Sequence, residues 1–128
     1  YRLGLVLASQ GDPKTGLEHL RSAVALQPKW PAALRSAAWI LATDSQLQDP
    51  EEAVRLALTA ARITKHRNPV VLDTLAAAYA AAANFELAVE TATSAIELFP
   101  TGRAPNIAAE MRKRLELYKG KKPHIAPR

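Results

Sequence analysis

An all-α fold of stacked helix pairs is predicted for this chain by three observations. First, three segments can be laid over one another: Gly4–Pro28, Ala38–Lys65 and Ala77–Pro100. Each reads as a helix, a turn and a second helix with an Ala at its centre, usually followed by Pro. Second, apolar residues recur at three- and four-residue spacing, and no period-2 strand pattern competes. Third, Asp12-Pro13, Asp49-Pro50 and Asn68-Pro69 punctuate the chain. In each, a short acceptor side chain can cap free N–H groups while Pro suits the first helical position. A unit this small cannot bury its apolar face alone, so copies stack into a solenoid.

The elements follow in order. Residues 1–10 read as a helix with Leu3, Val6 and Leu7 on one side, ended by Gly11. The second helix opens at Asp12-Pro13 and runs to about Gln27, with Leu17, Leu20 and Val24 beside the small Gly16 and Ala23. Pro31 starts a third, carrying Leu34, Ala37, Ala38 and Leu41 and fading at Thr43-Asp44. Asp49-Pro50-Glu51-Glu52 opens the fourth, with Glu52 placed to complete a capping box. Asn68-Pro69 starts the fifth, through Leu72, Leu75, Ala76 and Tyr79. Asn84 marks a turn before the sixth, over 85–98, and Pro100-Thr101-Gly102 breaks it. A seventh, about 104–119, sets Ile107, Met111, Leu115 and Tyr118 on one face and ends at Gly120 and Pro123.

Composition fits one domain. The chain has 128 residues, 48% of them hydrophobic and only 5% aromatic, so the core must be built from Ala, Leu, Val and Ile. Cys is absent, which excludes disulfides, thiolate catalysis and Cys-based zinc sites. No apolar run reaches the roughly 18–20 residues of a membrane span, and no signal peptide is visible. The net charge of +5 is unevenly placed: residues 103–128 carry +6 and the rest −1. The basic end reads as a solvated capping helix with a tail. Its alternative role is contact with an acidic partner or surface. It lacks the interleaved aromatics of a base-stacking surface, so no specific nucleic acid is expected. The chain opens on Tyr1 inside a helical pattern, which reads as the C-terminal piece of a longer protein. Its Ala-rich repeats and the ending RLELYKGKKP resemble bacterial sequences.

These residues resemble the tetratricopeptide repeat, with its W-x2-L-G-x2-Y…A-x3-F…P pattern over about 34 residues. The first copy supplies Leu3-Gly4-x-x-Leu7, then Gly16, Leu20, Ala23 and Pro28. The second supplies Leu34-x-x-Ala37-Ala38-x-x-Leu41, then Ala53, Ala57, Ala60 and Lys65. The third supplies Leu72-x-x-Leu75-Ala76-x-x-Tyr79, then Ala88, Ala92, Ala95 and Pro100. The match covers 1–100, although no copy has the full signature. The longer turn of the middle copy, DSQLQD, reads as a tolerated insertion. The resemblance implies a right-handed α-solenoid of antiparallel helix pairs over 1–120, with repeats at about 1–30, 31–67 and 68–102 and a capping helix at about 104–119. Residues 121–128 form a basic tail. The polar face of the last helix, with Glu110, Arg112, Lys113, Arg114 and Glu116, suits a closing helix. The N-terminal end has no such cap and would meet upstream repeats or a second copy in a homodimer.

The resemblance also implies a binding groove formed by the first helix of each repeat. Carried over position by position, its lining includes Tyr1, Leu5, Arg35, Trp39, Thr43, Asp73 and Ala77. Trp39 has two readings, core filler or anchor for a peptide, and its offset from Leu34, Ala37 and Leu41 favours the groove. Arg35 and Asp73 can pair across adjacent helices. Positions that would clamp an acidic chaperone tail hold Tyr1, Leu5, Ser36, Val70 and Thr74, none of them basic or Asn, so an apolar segment, a helix or a neighbouring domain fits better.

Catalytic signals are missing. His19, His66 and His124 lie on different elements with no second His at helical spacing, and read as surface residues. Gly11-Asp12-Pro13-Lys14-Thr15-Gly16 lacks the spacing of a phosphate loop. No metal, cofactor or enzyme activity is expected. The expected function is a protein–protein interaction scaffold. The alternatives are a structural spacer or self-association module, and contact with an anionic partner through the basic end. Small residues at 53, 60, 88 and 95 let paired helices approach closely, so Ala60→Leu should cost about 1–3 kcal/mol by overpacking, read as a lowered denaturation midpoint.

Overall fold

The computed structural model describes Gly4 and residues 11–99 and 104–125. The expected helix over 1–10 and the break at Pro100-Thr101-Gly102 lie outside the described residues, Gly4 excepted. Among the described residues six helices follow Gly11: α1 (Pro13–Leu26), α2 (Pro31–Thr43), α3 (Pro50–Ile63), α4 (Pro69–Ala81), α5 (Phe85–Leu98) and α6 (Pro105–Lys119). Among the described residues there is no strand.

The helix starts use the side chains the sequence offers. Asp12, Asp49, Asn68 and Asn84 each accept hydrogen bonds from backbone N–H groups of the first turn, at 3.0–3.3 Å. The expected capping box at α3 is only half made. Asp49 accepts from the Glu52 N–H, but the Asp49 N–H already donates to the Leu41 carbonyl at 2.9 Å. Glu52 is therefore free to reach across to α1, where Arg21 donates to its carboxylate at 2.9 and 3.4 Å.

Three of the described helices end by a rule the sequence concealed. Lys65, Ala83 and Lys121 adopt left-handed backbone, with φ of 56°, 63° and 58°. The next residue in each case donates back five positions: His66 to Ala61, Asn84 to Tyr79 and Lys122 to Leu117, at 2.8–2.9 Å. These are Schellman closures made without glycine. Gly120, expected to end α6, has an ordinary φ of −84°, and Lys121 supplies the turn.

Packing follows chain order. Each helix packs on the next, and α2 also packs on α4, which brings corresponding helices of successive repeats together. The contacts are made largely by alanine. Ala53, Ala57, Ala60, Ala88, Ala92 and Ala95 are all buried, as are Ala37, Ala38 and Ala76. Gly4 sits still closer: a Cβ there would lie 2.8 Å from the Gly16 carbonyl oxygen. Its counterparts in the later copies have room for a methyl group and are Ala38 and Ala76.

The DSQLQD insertion is held by its own hydrogen bonds. Asp44 accepts from the N–H groups of Gln46 and Leu47, Gln48 donates to the Ala42 carbonyl, and Leu47 packs against the core.

The last helix docks by its C-terminal half. Met111 and Tyr118 are buried and Leu115 partly so, whereas Ile107 remains about half exposed. Tyr118 fills the space left by Ala76, Ala80, Ala88 and Ala92. Its hydroxyl is buried with no hydrogen-bond partner among the described residues. A buried unsatisfied hydroxyl costs free energy on the order of 1–3 kcal/mol. Tyr118→Phe keeps the packed ring and removes that cost. Its urea midpoint should stay level or rise, and a marked fall would reveal a partner for the hydroxyl.

Candidate partner-binding face

The packing of α2 on α4 brings two unlike side chains within reach of one cation. Trp39 comes from the C-terminal half of α2 and Asp73 from the first half of α4. Trp39 is half-buried and packs against the main core. Asp73 is almost entirely buried, with its side chain 12% exposed. A carboxylate removed from water needs a cation, and it finds one on α6. The Arg114 Nη2 and Nε donate to the two Asp73 carboxylate oxygens, at 2.7 and 3.3 Å. The guanidinium carbon also lies 5.3 Å from the centre of the Trp39 ring. Asp73 thus receives a two-pronged pair while Trp39 offers a π face to the same cation.

His124 completes the arrangement. It lies beyond α6, in the segment that follows the Lys121 turn, and its ring centre is 5.6 Å from that of Trp39 at a tilt of 41°. Trp39 is therefore covered by two side chains from the C-terminal segment. This corrects the reading of His124 as a surface residue.

The other expected lining residues divide. Thr43 is buried, its hydroxyl donating to the Trp39 carbonyl at 2.7 Å within α2, and Ala77 is buried in the core. Neither presents a side chain for a ligand. Arg35 is half-buried and donates to the Ser36 hydroxyl at 3.3 Å. The expected Arg35–Asp73 pair does not form, because Arg114 takes both carboxylate oxygens. Tyr1 and Leu5 lie outside the described residues.

The sequence held a signal for Arg114. It falls three residues after Met111 and four before Tyr118, so it shares their buried face, which corrects its expected place on the polar face of the last helix. His124 follows the helix and has no periodicity to place it.

Burial sets the protonation chemistry. Asp73 is pushed up from 3.8 by burial and drawn back down by the charge and hydrogen bonds of Arg114, with smaller help from His124 and Arg35. Burial also raises the Tyr118 phenol, and the nearby Asp73 charge adds to the rise. His124 is lowered from 6.5, first by burial and then by Arg114, against weaker opposition from Asp73 and Glu110.

Other features lie apart. A shallow depression of about 290 Å³ between α3, α4 and α5 is lined by Leu58, His66, Leu72, Tyr79 and Leu87 and shares no residue with the Trp39–Asp73 face. Among the described residues no three His, Asp or Glu side chains gather as a metal site would require. No described helix is long and apolar enough to cross a membrane. In comparison with known proteins, no family model matches the chain, and no curated protein matches it at a significant level.

The lowered His124 gives the face a pH dependence of defined sign. The folded state holds the proton less well than the unfolded chain, so this contribution to stability is whole above about pH 6.5 and is lost as pH falls through the folded value. The raised Asp73 acts in the opposite sense at lower pH, between its folded value and 3.8. In a Trp30→Phe background, Trp39 emission should change on acidification with a midpoint below pH 6.5, and His124→Ala should remove that transition.

Proposed function

We propose that the chain is a protein–protein interaction scaffold of the tetratricopeptide kind, a right-handed superhelix of antiparallel helix pairs closed by α6. In this reading α2 and α4 line a concave groove that receives a peptide, a helix or a neighbouring domain. The observation that carries it is Trp39. This large aromatic stands on the shared α2–α4 face beside the charged Asp73, and Arg114 and His124 cover it. Aromatic side chains in such settings dominate binding hot spots.

A second reading rests on the same cover. The face is occupied by the chain's own C-terminal segment, as a structural spacer filled by its parent polypeptide would be. The two readings differ in what Trp39 does. In a scaffold, Trp39→Ala keeps the helical content and loses the partner, measured by affinity capture of wild type and variant side by side. In a spacer, the substitution alters stability and no partner distinguishes the two. Sedimentation equilibrium over a wide concentration range separates either from self-association, which alone makes the mass rise with concentration.

A further inference from the structure

The occupant of the α2–α4 face has a definite chemistry. Asp73 offers two carboxylate oxygens side by side, buried so that water screens them poorly, and the guanidinium they hold also lies over the Trp39 ring. A carboxylate pair matches the planar fork of a guanidinium, which also stacks on an aromatic face; an ammonium matches neither. Both receptor groups belong to the repeats, whereas the guanidinium is brought by α6, which packs chiefly on α5 and only lightly on α4.

We infer that Trp39 and Asp73 form a receptor for an arginine side chain, filled here by Arg114, and that the partner segment carries an arginine to this position. The inference rests on the reading of this face as the docking face. Charge favours such an exchange. The basic residues of the chain are concentrated at 103–128, while 1–102 carry −1, so an arginine-bearing segment takes the place of a segment of the same sign. His124 beside Trp39 shows that the wall accepts a flat ring next to the guanidinium, so an aromatic or His near the arginine suits the same partner.

The receptor can be opened in the full chain. Arg114→Ala removes the guanidinium, and Arg114→Lys keeps a cation there should the first variant unfold. Propylguanidinium added to either variant should raise the thermal midpoint and shift Trp39 emission saturably. It should act at least tenfold more tightly than propylammonium, and Asp73→Asn should abolish the response. No saturable response in a folded variant, or equal responses to the two cations, overturns the receptor. A short peptide bearing arginine should then bind Arg114→Ala at least tenfold more tightly than wild type, and more tightly than its lysine counterpart. Equal binding of the lysine peptide, or binding of an apolar peptide alone, overturns arginine as the partner's feature and leaves the docking face standing. Failure of every peptide, with propylguanidinium still bound, overturns the docking face itself and with it the arginine-bearing partner.

Discussion

Close approach of helix backbones across methyl groups is the constraint on which this structure depends. With alanine at nearly every crossing, each helix contributes little apolar bulk, and the interior is thin. Leucines at 17, 20, 34, 41, 56, 72 and 75 supply most of the volume in the main core. The end of the last repeat has no such residues: Ala76, Ala80, Ala88 and Ala92 leave a space that α6 must fill with Tyr118. Burying one aromatic ring there is worth several alanine contacts, so the closing helix is part of the core rather than an ornament on it.

The buried charge follows from the same packing. Once α6 docks through Met111 and Tyr118, the residue between them on that face is Arg114, and it arrives over Asp73. Each group removes the other's need for water. Loss of one partner from a buried pair of this kind is costly, on the order of 3–5 kcal/mol, because it strands the other. The pair fixes the position of α6 against α4 as much as it adds to stability.

Much of the helical pattern was legible in the sequence, and much of the candidate site was not. Pro13, Pro31, Pro50, Pro69 and Asn84 set the helix starts because caps and prolines act within a few residues. The ends over Lys65 and Ala83 were hidden, because a left-handed turn closed by backbone hydrogen bonds can be made by residues that carry no signal for it. Repeat alignment brought Trp39 and Asp73 to one face. It also placed Thr43 and Ala77 there, although their side chains are spent inside the core, since alignment fixes a position on a helix and not what packs over it. Arg114 stood on an apolar stripe that could have marked it. His124 was beyond reach, because a segment after the last helix is located only by what it touches.

The placement of Arg114 on α6 links two events that would otherwise be independent. In the proposed docking, a visitor to Asp73 displaces Arg114, and lifting α6 to release it exposes Met111 and Tyr118 to water. The apparent affinity of the face is then its intrinsic affinity multiplied by the fraction of molecules with α6 lifted. If that fraction is about one in a hundred, binding weakens about a hundredfold. In the proposed docking, changes at Tyr118, one turn along α6 from Arg114, therefore tune how strongly the face responds to a partner.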